Sequence, residues 1–164
     1  MQNLNYGVIG NCSTAALISE KGAIEWLCFP EFDSPSVFAA ILDRQKGGHF
    51  GFKVTSDYKV TQSYVPHTNI LSTHFESEEG AFDVVDFMPC YPTSDGKDFY
   101  RPAEIYRYIR WEKGRPRMKV DYRPAPNYAR GKTIYNVTSQ YVETYSSAEN
   151  KDCLLYTSPS PRDS

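Results

Sequence analysis

The chain has 164 residues, 40% hydrophobic, 15% aromatic and 23% charged, a composition that excludes the disordered and membrane-spanning classes and fits an ordinary globular fold. Its 18 basic and 20 acidic residues leave a formal charge of -2 and are scattered throughout, so no basic stripe is offered to a phosphate backbone and nucleic acid is excluded as a partner. No apolar run reaches the length of a membrane span, and Met1–Asn5 with the short stretch Tyr6–Gly10 lacks the basic start and long apolar core of a signal peptide, so no membrane partner is expected.

From Tyr6 onward the pattern predicts short strands. Thr14–Ile18 and Ala23–Cys28 flank Glu20-Lys21-Gly22, a turn in which Gly22 supplies the positive φ that closes a hairpin. Asp33-Ser34-Pro35 before Val37–Asp43 then predicts a short helix, with Ser34 as cap, Pro35 in the first turn and Gly47-Gly48 as the stop. His49–Val54, Tyr58–Val65, Asn69–Glu76 and Ala81–Met88 are rich in Val, Ile, Phe, Tyr and Thr and read as further strands, the last two joined by Ser77–Gly80. The Pro-, Gly-, Ser- and Asp-rich stretch from Pro89 to Pro102 is the longest expected loop and the most mobile.

Glu104–Trp111 and Arg117–Arg123 are expected to pair across Glu112-Lys113-Gly114. In the second of these Met118, Val120 and Tyr122 alternate with Arg117, Lys119 and Asp121, the mark of one buried and one wet face. Ile134–Tyr145 adds at least one strand. Many short strands, one short helix and no βαβ alternation predict a mainly β fold, an antiparallel two-sheet sandwich. A chain of this size buries about 70% of its unfolded surface, enough for one domain.

The four cysteines, Cys12, Cys28, Cys90 and Cys153, are widely separated with no C-x-x-C. They predict free, partly buried thiols and a cytoplasmic location. His49, His67 and His74 sit at no metal-ligand spacing, so no metal site is expected, nor any cofactor. The catalytic motifs of zinc proteases, serine hydrolases and P-loop enzymes are absent. Glu31, Asp33, Asp83 and Asp86 are the carboxylates open to a glycosidase-type pair. The competing reading, favoured here, places Asp33 at the helix start and Asp83 and Asp86 on a strand. Arg107 shares a strand face with Ile105, Ile109 and Trp111, which predicts a packed stem whose guanidinium reaches a carboxylate.

After the polar run Ser146–Lys151 the character changes. Residues Cys153–Asp163 can be written in codons beginning TGT CTC TTA TAC ACA TCT, which read as a transposase-type sequencing adapter in frame. Residues 1–152 are therefore expected to form the N-terminal sandwich domain, and 153–164 to be a non-native tail, so that the natural protein continues past Asp152.

Tyr6–Ile18, the run Trp26-Leu27-Cys28-Phe29-Pro30-Glu31-Phe32-Asp33-Ser34-Pro35-Ser36, Tyr64-Val65-Pro66-His67-Thr68-Asn69-Ile70-Leu71 and Asp86-Phe87-Met88-Pro89 together resemble, in order, the opening of glycoside hydrolase family 15 proteins, the bacterial glucoamylase, glucodextranase and trehalase-like group. The resemblance covers most of residues 6–145. It implies a non-catalytic N-terminal super-sandwich followed by an (α/α)6 barrel that inverts α-glucosidic bonds with two glutamates. Those glutamates would come after Asp152, so no catalytic residue falls on this chain. The expected partners are that barrel and an α-glucan or trehalose-like sugar. Glu31, Phe32, Asp33 and Ser34 are the expected interdomain loop or pocket rim; the family often carries Arg where Glu31 stands and a basic or polar residue where Ser13 stands. The alternatives are that this loop only packs the helix, or that the chain is a carbohydrate-binding module using Tyr100, Tyr106 and Tyr108, or a structural sandwich with no hydrolase activity.

Overall fold

The computed structural model describes residues 5–55, 57–147 and 149–156. Strands β1 (Tyr6–Gly10), β2 (Ala15–Ser19), β3 (Ile24–Cys28), β4 (Ser36–Phe38), β5 (His49–Lys53), β6 (Lys59–Tyr64), β7 (Leu71–Glu76) and β8 (Gly80–Phe87) fill the first half. The short β9 (Tyr91–Pro92) and β10 (Phe99–Tyr100) precede β11 (Tyr106–Gly114), β12 (Lys119–Arg123), β13 (Thr133–Val137), β14 (Tyr141–Ser146) and β15 (Glu149–Tyr156). One main sheet runs β1-β2-β3-β5-β12 with β4 added to β3, the other β11-β8-β7-β6, and every pairing is antiparallel. β13-β14-β15 form a separate three-stranded sheet.

The two main sheets are layers because their strands alternate. In β2, Ala16 and Ile18 are buried between half-buried neighbours; in β7, Leu71, Thr73 and Phe75 point in while Ser72, His74 and Glu76 point out. Ile9, Ile18, Ile24, Leu27 and Phe38 of the first sheet meet Leu71 of the second and Met88 just past the end of β8. Phe75 and Phe82 stack at 4.7 Å between ring centroids and pack with Phe52 and Val54. Fully burying each such side chain contributes roughly 1.5–3 kcal/mol.

The short helix expected at Val37–Asp43 is not formed; among the described residues there is no helix, and so none long and apolar enough to cross a membrane. Ser36–Phe38 is instead a strand on β3, with all three residues buried. β-branched Val37 and aromatic Phe38 suit a pleated, two-sided environment. The chain then closes on itself: Ala39 N–H donates to Gly47 O at 2.7 Å, and Asp43 Oδ1 accepts from the amides of Gln45 and Lys46. Asp43 thus makes an Asx turn where the end of a helix was expected.

A second correction concerns β11 and β12, which do not pair with each other. β11 pairs β8 and β12 pairs β5, so the link between them crosses from one sheet to the other. Gly114 at φ 69° turns the chain, Arg115 N–H donates to Glu79 O at 2.8 Å, and Pro116 lies against Gly80. A proline here cannot continue a ladder. The stretch from Pro89 to Pro102, expected as loop, contains the β9–β10 ladder, closed by Thr93 N–H donating to Asp98 O at 2.8 Å.

Candidate functional site

The β1–β2 turn, the β3–β4 loop and the β6–β7 loop meet at one end of the sandwich, held by side-chain hydrogen bonds. Asn11 Oδ1 accepts from the amides of Ser13 and Thr14 at 3.1 Å each, while its Nδ2 donates to Pro102 O at 3.1 Å. Thr14 Oγ1 donates to Cys28 O at 2.5 Å, and Asn69 Nδ2 to Gly10 O at 2.6 Å. Tyr64 OH both accepts from Val8 N–H and donates to Val8 O, tying β1 to the edge of the second sheet.

Within this frame the run from Trp26 to Ser36 divides by burial. Leu27, Cys28 and Ser36 are buried, Trp26, Phe29, Ser34 and Pro35 are half-buried, and Pro30 is exposed. Ser36 Oγ accepts from Tyr128 N–H. Glu31, Phe32 and Asp33 are exposed, Phe32 to 62%. Their turn is rigidly made: the Phe29–Pro30 peptide is cis, Ser34 N–H donates to Glu31 O, Ser34 Oγ accepts from Glu31 N–H, and Phe32 N–H donates to Ser13 O at 3.0 Å. The fold thus uses most of the run for packing and leaves Pro30, Glu31, Phe32 and Asp33 outward. Asp33 and Ser34 cap no helix, because none follows.

The other candidate carboxylates are consumed elsewhere. Asp83 and Asp86 lie three residues apart on β8 and therefore on opposite faces. Asp86, fully buried, takes Arg107 Nε at 2.7 Å and Nη2 at 3.1 Å; the same guanidinium, 4% exposed, donates to the carbonyls of Phe50 and Gly22 and lies over the rings of Phe50 and Phe52. Arg107 thus staples the sheets, as its position among apolar residues predicted. On the outer face, burial pushes the Asp83 carboxyl up, but hydrogen bonds from His74 at 2.6 Å and Arg110 at 2.5 Å outweigh it and hold the group below the usual carboxylate range. A carboxylate held ionised cannot serve as a general acid near neutral pH. Glu31 and Asp33 sit on the loop, and nothing brings the four into a pair.

Sequence reasoning missed Asp121. It gathers His49 at 3.0 Å, Lys53 at 3.0 Å and Arg123 at 2.7 Å beside a cleft of about 290 Å³, at the end of β2 and β3 opposite the loops. The outward alternation along β12 marked Asp121 as polar, but two of its partners, His49 and Lys53, come from the neighbouring β5. Among the described residues no group of three or more His, Cys, Asp or Glu is placed to hold a metal, and Cys12, Cys28 and Cys90 are free, with Cys28 buried.

Fold and site together define an antiparallel β-sandwich domain whose buried charges serve structure and whose Glu31–Asp33 turn is exposed. The chain belongs to the trehalase-like N-terminal family, whose model matches residues 5–158. Among relatives, the trehalase of Thermoplasma volcanium is 36% identical over 132 residues, 79% of this chain and 20% of that protein. Trehalase 1 of Sulfolobus acidocaldarius is 51% identical over 85 residues, 51% of this chain and 14% of that protein. The trehalase of Mycolicibacterium smegmatis is 40% identical over 95 residues, 56% of this chain and 14% of that protein. The chain spans a fifth or less of the length of these relatives. No solved structure matches it.

Proposed function

We propose that residues 1–152 are the non-catalytic N-terminal sandwich of an enzyme that hydrolyses an α-glucosidic bond, with trehalose as substrate, and that Glu31, Phe32, Asp33 and Ser34 border the sugar pocket of the catalytic domain. The carrying observation is the family match across residues 5–158, joined to relatives that are themselves trehalases. The chain alone turns nothing over in this reading: its buried carboxylates are engaged by Arg107, His74 and Arg110, and the two catalytic glutamates lie in the barrel that follows. Residues 153–164 belong to a non-native tail, and the enzyme works in the cytoplasm.

The loop role rests on exposure without structural use. An aromatic side chain exposed on a turn held by three backbone and hydroxyl hydrogen bonds is placed for contact with something outside the sandwich. Glucose release by the full-length enzyme tests it. Phe32→Ala and Asp33→Ala are expected to raise KM for trehalose on the order of tenfold, one well-made contact's worth of binding energy, while leaving the unfolding midpoint in place. Unchanged kinetics in both would assign the loop to packing alone.

A sugar-binding module is the second reading, drawing on the exposed Tyr100, Tyr106 and Tyr108. Calorimetric heat on titrating this chain with trehalose or malto-oligosaccharides, abolished by Tyr106→Ala, would favour it.

A further inference from the structure

β11 is an edge strand with apolar residues uncovered on both faces. Tyr106 and Tyr108, on the outer face, are 48% and 57% exposed; Ile109 and Trp111, on the core face, are 37% and 53% exposed. Ile109 and Trp111 sit directly opposite Val84 and Phe82, which are fully buried. Past the buried Arg107 the core therefore stops at β8 and is open beside Ile109 and Trp111. Across the sandwich, β12 ends the first sheet in the same condition: Val120, opposite Phe52, is 47% exposed.

A nine-residue edge with free backbone groups and apolar faces is a template for pairing, and stable folds blunt such edges with charge, bulges or cover. The charged residues of β11 do not guard it, because they are bound within its own sheet: Arg110 to Asp83 and Glu112, and Lys113 to Glu76. The irregularity in its pairing, a bulge between Trp111 and Lys113, lies toward its end and leaves Tyr106–Trp111 in regular register, and an apolar edge of this length is one that is covered in the working protein.

We infer that β11 is a seam at which polypeptide following this segment in the full-length protein adds a strand, covering Ile109 and Trp111 and closing the open side of the core. The inference rests on the reading of this chain as the N-terminal part of a longer enzyme, and the occupant follows from length: the related trehalases carry roughly four-fifths or more of their chain outside the matched segment. Such a segment is tethered to β11, whereas a second copy must come from dilute solution.

Hydrogen exchange measured by mass spectrometry on the 164-residue chain and on the full-length protein tests this. In an edge strand every second amide is bonded to its inner neighbour and the others face outward. The outward-facing amides of Tyr106–Gly114 are expected to gain about 100-fold or more protection in the full-length protein, of the order that separates an open edge from a paired strand. That gain should not depend on protein concentration, and the Phe75 and Phe82 segments should be unchanged. Equal exchange of β11 in both proteins overturns the inference, and protection that grows with concentration overturns it in favour of a second copy. Assaying the same full-length sample on trehalose separates the two readings: hydrolysis with an open β11 sinks only the seam, while a protected β11 without hydrolysis sinks only the substrate.

Discussion

Asp86 and Arg107 show how one buried pair serves several elements. The carboxylate belongs to β8, the guanidinium to β11, and the remaining donors reach Gly22 and Phe50 of the first sheet. Asp86→Leu leaves a buried cation without a counter-charge, and a loss of about 3–5 kcal/mol is expected, read from urea unfolding. Removing both charges with Asp86→Leu and Arg107→Met is expected to restore only part of this, because the carbonyls of Gly22 and Phe50 then lose their donor. At Asp121 the effect is pH-dependent. Burial raises its carboxyl, but hydrogen bonds from His49, Arg123 and Lys53 outweigh it and hold it well below the usual range. A carboxyl lowered by folding contributes stability above its unfolded pKa, near 3.9, and loses that contribution as pH falls through the folded value. Asp121→Asn is therefore expected to lower the urea midpoint at pH 7 and to flatten its fall below about pH 4. An unchanged slope in that range would contradict the assignment.

Strand order shows what the sequence could and could not reveal. The β2–β3 hairpin, the strands β7 and β8 and the packed stem of Arg107 were legible because each depends on local composition or on one misplaced charge. In β12, by contrast, Val120, expected on the buried face, is exposed, and Asp121, expected on the wet face, is largely covered by its ion pairs. The helix at Val37–Asp43 was misread because a serine, a proline and a glycine pair mimic helix ends, while the burial of Val37 and Phe38 on both sides is a property of β3 and the segment Ala125–Tyr128 beside them. The pairing of β11 with β12 failed for a similar reason: Glu112-Lys113-Gly114 looks like a hairpin turn, yet the chain changes sheets there. The candidate loop at Glu31–Ser34 was visible only through resemblance, since its exposure depends on what surrounds it. Two glycines test the crossover. At Gly114, φ 69°, an added Cβ would lie 2.2 Å from Glu79 O; at Gly96, φ 65°, it would meet nothing within 4 Å. Gly96→Ala is expected to cost about 1–2 kcal/mol for the left-handed backbone alone, and Gly114→Ala clearly more. Equal thermal shifts would mean that the crossover can relax.

At the scale of the whole molecule, the sandwich joins two kinds of surface. Its loop end is tightly bonded and presents Phe32; its β11 side is open and apolar. In the reading proposed above a larger protein surrounds it, the first surface contacting a sugar pocket and the second forming a seam for further strands. Phe32→Ala in this chain alone is accordingly expected to change stability by no more than about 0.5 kcal/mol, as for other exposed positions without structural partners. The most direct measurement is the release of glucose from trehalose, followed by NMR of the anomers, for this chain and for the full-length protein side by side. The account predicts release by the full-length protein alone, one α- and one β-glucose from each trehalose as inversion requires. Turnover by this chain alone, or a folded full-length protein that leaves trehalose intact, would contradict it.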